Sequence, residues 1–132
     1  MLGPCLRMAF LACGLVFATL GPTGCDSGGK GASPTSSGVS RDKYLDQLTT
    51  DEIRELCAFV IAGEGGTGDR SCDGGSFHVY TLDECTAGSL GSYHCQVALV
   101  EDCVNSLHAD VCQFFGSSAC STYLQCVMAQ RD

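Results

Sequence analysis

Eight cysteines between residues 57 and 126 constrain the fold of this chain more than any other feature of its sequence. An even set of cysteines in a short segment is typical of a small domain held by disulfides. Disulfides persist in oxidising compartments, so the pattern predicts an exported domain. The predicted disulfide cysteines are Cys57, Cys72, Cys85, Cys95, Cys103, Cys112, Cys120 and Cys126.

Residues 1–24 predict an export signal. Arg7 precedes the uncharged run Met8–Leu20, whose length suits the apolar region of a signal peptide and is too short to span a bilayer comfortably. Gly24 then stands before Cys25 and resembles a bacterial lipoprotein cleavage box, in which the cysteine becomes the lipidated N-terminus. Pro22 departs from that box, where an aliphatic residue is usual three positions before the cysteine.

The count of 11 cysteines favours lipidation of Cys25 over ordinary secretory cleavage near Ala18. Loss of Cys5 and Cys13 with the signal, and use of Cys25 for lipid, leaves the even set of eight. Ordinary cleavage would leave one thiol free in an oxidising space. The sequence therefore predicts a membrane partner through N-terminal lipid, in the cell envelope on the outer membrane or periplasmic face, with the cell surface as an alternative.

Residues 25–41 predict a lipidated cysteine followed by a disordered tether. Asp26–Arg41 is rich in Gly and Ser and has almost no apolar residue, so it cannot bury enough surface to order itself. A chain of this length and composition spans on the order of 20–24 Å. We therefore expect the folded domain to begin at residue 42 and to stand off the membrane.

Residues 42–132 predict a mainly α, disulfide-rich domain of three to four short helices with a Gly-rich loop. Capping-box patterns at Thr49–Glu52 and Thr81–Glu84 mark two helix starts. Apolar residues recur at helical spacing over Ile53–Ile61 and predict one buried face. Two further helices are predicted over Tyr93–Leu107 and Ser118–Ala129.

The short link between the last two predicted helices suggests a pairing for four of the cysteines, because helices joined in this way run antiparallel. Cys112 is then expected opposite Cys120, and Cys103 opposite Cys126. The remaining four cysteines would pair among themselves. Eight cysteines allow many connectivities, so spacing leaves the individual bonds open.

The Gly-rich segment Gly63–Gly75 holds three candidate ligands for Ca²⁺, namely Glu64, Asp69 and Asp73. It nearly matches the GGxGxD calcium repeat, but Asp69 comes one place early and no repeat follows. An ordinary flexible loop is the favoured interpretation, so no metal or cofactor is predicted. The chain also has no C-x-x-C pair and no nucleophile elbow, so no catalytic residue is predicted and no enzymatic activity is expected.

The arrangement as a whole resembles the small cysteine-rich lipoproteins of myxobacteria and related bacteria. An LTxxExxxLC helix and a GG…G…C loop carry the resemblance, after the lipobox-like cysteine and the tether. Their residues are Leu48, Thr49, Glu52, Leu56, Cys57, Gly65, Gly66, Gly68 and Cys72. The resemblance implies an envelope location and a disulfide-bonded fold, and it implies no particular activity.

The acidic composition bears on the partner. A net charge of −8 repels phosphate backbones, so no nucleic-acid partner is expected. The favoured function is a lipoprotein whose domain binds a protein or envelope partner, or has a structural role in the envelope, with the ligand unspecified. The alternative is an inhibitor or effector of secreted hydrolases that uses Gly63–Gly75 as its reactive element.

Overall fold

The computed structural model describes residues 35–131. The predicted signal, the lipidation site Cys25 and the first part of the predicted tether lie outside the described residues. Within this range the chain forms four α-helices and one antiparallel sheet of two strands. The elements are α1 (Thr50–Gly63), β1 (Gly68–Cys72), β2 (Gly75–Val79), α2 (Leu82–Ala87), α3 (Val97–Ser106) and α4 (Ser118–Met128). Three 3₁₀ helices in the same range are Leu45–Gln47, Leu90–Ser92 and Val111–Gly116.

This architecture confirms the predicted mainly α, disulfide-rich fold class, and both predicted capping boxes form. The hydroxyl of Thr49 accepts from the backbone N–H of Glu52 at 3.3 Å, and the carboxylate of Glu52 accepts from the N–H of Thr49 at 3.0 Å. Thr81 and Glu84 repeat the arrangement at 3.3 and 2.8 Å. Each box satisfies two backbone donors that a helix start leaves unpaired, so α1 and α2 begin where the sequence places them.

The third helix begins at Val97, so the predicted start at Tyr93 is wrong. The preceding residues pair with another part of the chain. Tyr44 and Gln96 form an antiparallel bridge, and the N–H of Val97 donates to the carbonyl of Lys43 at 2.9 Å. These non-local bonds hold the segment extended, so the helix begins only at Val97.

A β-hairpin replaces part of the predicted Gly-rich loop. β1 and β2 pair from Gly68↔Val79 to Cys72↔Gly75, which leaves Asp73 and Gly74 as a two-residue turn. Gly74 has a φ of 94°, a conformation that residues with a side chain rarely adopt. Asp-Gly is a favoured dipeptide for turns of this length, so the hairpin has a local cause in the sequence.

The core lies where α1, α3 and α4 meet the segment around the first 3₁₀ helix. Its buried residues include Leu45, Leu56, Phe59, Val97, Val100, Val104 and Val127. Gly63 allows α1 to approach α3 closely, because a Cβ at this position would collide with the side chain of Val104. The last residue of α1 is therefore glycine for reasons of packing.

Residues 35–41, here called the N-terminal arm, are packed on α3, in contrast to the disordered tether predicted up to Arg41. Val39 in the arm is only 5% exposed and belongs to the core. The carboxylate of Glu101, which is fully buried, accepts from the N–H of Ser37 at 2.7 Å and pairs with Arg41 at 3.0 Å. A buried acceptor and one apolar side chain are enough to order this short polar segment.

Four disulfides join different elements of the described domain. The bonds are Cys57–Cys85, Cys72–Cys112, Cys95–Cys126 and Cys103–Cys120, with Cα–Cα distances of 4.2–6.1 Å. Of the four cysteines expected to pair among themselves, only Cys57 and Cys85 do so. The crosslinks assign the domain to an oxidising, extracytoplasmic compartment.

The predicted pairs Cys112–Cys120 and Cys103–Cys126 are wrong. Cys103 and Cys120 face each other directly across the interface of α3 and α4. Cys112 lies in the 3₁₀ helix that links these helices and reaches the hairpin, while Cys126 meets Cys95 ahead of α3. The prediction failed because it assumed that Cys112, which lies in the link between the two helices, faces the last helix.

Candidate ligand-binding site

A cavity of about 390 Å³ lies between α1, α3 and α4. This volume falls within the range of small-molecule sites in proteins. Most of its wall is apolar, and the apolar residues include Val60, Ile61, Leu90, Val100, Val104 and Phe114. The wall also includes a few polar groups, which come from α1, α2, α4 and the segment before α3.

Two disulfides fix the position of this wall. Cys85 and Cys103 both line the cavity. Cys85 ties α2 to Cys57 in α1, and Cys103 ties α3 to Cys120 in α4. The helices around the cavity are therefore covalently crosslinked in pairs, so the space between them is preformed and a ligand need not organise it.

Glu64 contributes to the wall a carboxyl group whose pKa is strongly shifted. It follows the last residue of α1, and its side chain is only partly accessible. Burial raises the pKa of its carboxyl from 4.5 to about 7. Within residues 35–131 the carboxyl has no hydrogen-bond or ion-pair partner, so nothing offsets the loss of water around it.

Three tyrosines line the same space, namely Tyr80, Tyr93 and Tyr123. Burial raises the pKa of Tyr123 in α4 to about 12, and the neighbouring Tyr93 and Glu64 add to this effect. Hydrogen bonds with Ser89 and Arg131 lower the pKa of Tyr93. Tyr123 is therefore a neutral phenol throughout the physiological range.

Glu84, the second carboxyl of the wall, is already engaged. It accepts from the N–H and the hydroxyl of Thr81 at 2.8 and 3.0 Å, and Nε2 of His78 lies 3.8 Å away. These contacts, with the backbone hydrogen bond from Thr81 the largest, lower the pKa of Glu84. All three contacts involve Oε2 of Glu84, whereas neither carboxyl oxygen of Glu64 has a partner within residues 35–131.

The three candidate calcium ligands are not brought together. Glu64 lines the cavity, Asp73 occupies the hairpin turn, and Asp69 bonds Nδ1 of His78 across the strands at 2.6 Å. This contact with Asp69 is the main reason that the pKa of His78 is raised. Over residues 35–131 no group of three or more His, Cys, Asp or Glu side chains is placed to hold a metal ion.

An aromatic cluster lies beside the cavity, at the surface. Phe77 of β2 is 5.6 Å from both Phe114 and Phe115 between ring centroids. Phe114 also lines the cavity, whereas Phe115 is 76% exposed. The cluster links the hairpin to the 3₁₀ helix Val111–Gly116 near the disulfide Cys72–Cys112.

Sequence reasoning singled out Glu64, but as a candidate calcium ligand, and it assigned no site role to Tyr80, Tyr93 or Tyr123. A signal for Glu64 was present, because it follows Val60 and Ile61 by four and three residues and so continues the buried face of α1. Tyr123 has a comparable signal, because it lies three residues after Cys120 and four before Val127 on the apolar face of the last helix. Tyr93 has none, since it lies in the extended segment before α3.

Comparison with protein-family models, with curated proteins and with solved structures found no match to this chain. Each helix between residues 35 and 131 is too short or too polar to cross a bilayer.

Proposed function

We propose that this chain is an exported, lipid-anchored binding protein whose domain takes a small, mainly apolar molecule into the cavity between α1, α3 and α4. The observation that carries the proposal is a preformed apolar cavity of about 390 Å³ with disulfide-bonded cysteines in its wall. A concave, mostly apolar space of this size is suited to a small molecule. Convergent polar groups in an apolar pocket are typical of ligand sites.

The proposed lipid anchor at Cys25 is supported by the way the other cysteines pair. All eight cysteines of the described range are paired. This leaves Cys25 without an intramolecular partner once Cys5 and Cys13 are removed with the signal, which supports its lipidation. Intact-mass analysis of the mature protein should find an acylated N-terminal Cys25. An unacylated chain that starts near residue 18 would refute the anchor.

The inhibitor alternative receives less support. The segment proposed as its reactive element contains β1, which pairs with β2 along its whole length. A loop that enters a protease cleft presents an extended backbone with free hydrogen-bonding groups, and here one edge is already occupied. Outside the strands the segment leaves the turn Asp73–Gly74 and the residues 64–67, in which the N–H groups of Gly65 and Gly66 bond carbonyls at the end of α1.

Binding can be tested with 4-phenylbutanol, a neutral apolar probe, and the oxidised, exported protein. We expect saturable one-to-one binding with chemical-shift changes at the methyl groups of Val60, Val100 and Val104, which line the cavity. Val60→Phe should fill part of the space and weaken binding about tenfold, whereas Met128→Phe should have no effect because Met128 is 64% exposed and outside the wall.

Two results would contradict the proposal. One is the absence of saturable binding to the folded, oxidised protein. The other is unchanged affinity in Val60→Phe. If the methyl NMR spectrum shows that Val60→Phe does not fold, Ile61→Phe is a second variant that fills the same cavity. Unchanged affinity in Ile61→Phe counts equally against the site.

A further inference from the structure

We propose that the occupant of this cavity carries a protonated amine, which the carboxyl of Glu64 binds. The inference rests on the proposed function and adds the chemical class of the ligand. It follows from which charged groups line the cavity, which of them are already engaged, and which rings surround them.

The first argument is the sign of the charge. The charged side chains in the cavity wall are Glu64 and Glu84, and the lining residues include no Lys, Arg or His. The cations nearby are engaged with other groups, since Arg131 bonds the hydroxyl of Tyr93 and His78 pairs with Asp69. An anionic ligand would meet two carboxyls and no free cation, whereas an ammonium group would meet complementary charge.

The second argument is hydrogen-bond satisfaction. The capping box of Thr81 engages Oε2 of Glu84, while neither carboxyl oxygen of Glu64 has a partner within residues 35–131. A partly buried carboxyl without a donor loses hydration with no hydrogen bond in return, and a ligand N–H group would supply that donor. The resulting hydrogen bond would be charge-assisted, which makes it shorter and stronger than a neutral one.

The third argument is the aromatic lining. Tyr80, Tyr93, Phe114 and Tyr123 all contribute to the wall. The faces of such rings carry negative potential and attract cations, more strongly where water is excluded. Since Tyr123 stays neutral, it adds a ring face without adding charge.

The inference also predicts how binding depends on pH. Burial raises the pKa of the Glu64 carboxyl to about 7, so it is partly protonated at neutral pH. An alkylamine stays protonated up to roughly pH 10. Amine affinity should therefore rise between pH 5 and about 8 as Glu64 ionises. The other titratable groups in the wall are Tyr80, Glu84, Tyr93 and Tyr123. Burial raises the pKa of Tyr123 to about 12, so this phenol stays neutral over the range, and hydrogen bonds from Thr81 lower the pKa of Glu84.

Three probes with the same apolar body test the inference in the oxidised, exported protein: 4-phenylbutylamine, 4-phenylbutanol and 4-phenylbutyrate. Calorimetric titration at pH 8 should show the amine binding about tenfold more tightly than the alcohol, and the carboxylate more weakly than both. Glu64→Gln should abolish the preference for the amine and leave alcohol binding unchanged. Glu84→Gln, the matched control in the same wall, should keep the preference because its carboxyl is engaged by Thr81.

The outcomes separate this inference from the proposed function. Equal affinities for amine and alcohol, unchanged by Glu64→Gln, would overturn the amine specificity while cavity binding stands. Tighter binding of 4-phenylbutyrate would also overturn it, since Glu64 would then act as a proton donor. Failure of all three probes to bind would overturn the proposed function as well.

Discussion

Arg41 of the N-terminal arm and Glu101 of α3 form an ion pair at 3.0 Å in which the carboxylate is fully buried and the guanidinium is half exposed. The hydroxyl of Ser37 donates to the same carboxylate at 2.8 Å, in addition to the backbone N–H of Ser37. A buried carboxylate is tolerated only when it is well hydrogen-bonded. Glu101 therefore joins the arm to the domain.

Replacement of Glu101 with Ala should show the strength of this connection. The N–H of Ser37 and the guanidinium of Arg41 would both lose their acceptor, and we expect the free energy of unfolding to fall by about 2–4 kcal/mol. Urea denaturation measures the change, and hydrogen exchange should show faster opening of residues 36–41. Asp102→Ala is the control, because Asp102 also pairs with Arg41 but is 54% exposed.

The control variant should change stability by less than about 1 kcal/mol, as exposed ion pairs usually do. Equal losses in Glu101→Ala and Asp102→Ala would show that burial of the carboxylate does not matter. An arm that exchanges freely in the native protein would contradict the packing described for it.

Gly63 offers a test of the close approach between α1 and α3. Alanine is a better helix former than glycine by about 1 kcal/mol, so an open position would be stabilised by Gly63→Ala. Here the new methyl group would collide with Val104, and we expect destabilisation by about 1–3 kcal/mol. Thermal unfolding gives the sign of the effect.

A double-mutant cycle identifies the cause. Val104→Ala removes the atoms that the new methyl group would meet, so the double variant should be more stable than the two single losses predict. Gly116→Ala should be nearly neutral, because a Cβ there meets nothing within 4 Å. Additive losses in the cycle would rule out the collision as the reason for glycine at position 63.

The parts of the fold that the sequence predicted correctly have local causes. Both capping boxes involve groups three residues apart, so the starts of α1 and α2 follow from the local pairs Thr49–Glu52 and Thr81–Glu84. The start of α3 depends on bonds from the segment near Tyr44, about fifty residues earlier, and no local pattern records them. The hairpin also has a local signal, the turn dipeptide Asp73-Gly74, although the glycine content of the segment favours a loop.

The disulfides differ in what they hold together, and two of them allow a comparison. Cys72–Cys112 closes a separation of 40 residues and Cys103–Cys120 one of 17. Loop entropy alone favours the longer bond by only about 0.8 kcal/mol. Cys103 and Cys120 are 2% and 0% exposed, so their removal also leaves a space in the core.

We therefore expect the variant Cys103→Ala/Cys120→Ala to lose more stability than Cys72→Ala/Cys112→Ala, with each loss about 2–4 kcal/mol or more. Urea denaturation followed by circular dichroism gives the order. Excess dithiothreitol should abolish the helical signal of the unmodified protein. Retention of that signal would show that the helices hold together without the disulfides. A larger loss in the Cys72/Cys112 variant would show that loop closure rather than core packing sets the order.

The cavity was harder to predict than the helices. Its residues come from separate elements, and their only common property in the sequence is that most are apolar. Glu64 could be identified as chemically unusual, since an acidic residue continues the buried face of α1. Its role could not be inferred, because the spacing does not show that Tyr93 and Tyr123 reach it from other parts of the chain.

Glu64 should make stability fall as pH rises through the acid range. Burial raises the pKa of its carboxyl from 4.5 to about 7, so the folded protein holds this proton between these values while the unfolded chain has released it. The native state binds more protons in this window, so the free energy of unfolding falls as the pH rises from 4.5 to about 7. The full loss is present above pH 7, and none is present below pH 4. We expect Glu64→Gln to be more stable than the unmodified protein by about 1–3 kcal/mol at pH 8 and equally stable at pH 4.

Urea denaturation from pH 4 to pH 8 measures the difference between the two proteins, which removes the contribution of the other carboxyls. Glu84→Gln is the matched control with the opposite sign. Since hydrogen bonds from Thr81 lower the pKa of Glu84, its ionised form favours folding, and the variant should lose stability above pH 5. Parallel pH profiles for Glu64→Gln and the unmodified protein would mean that the carboxyl of Glu64 is well hydrated, and the cavity would then lack its unpartnered acceptor.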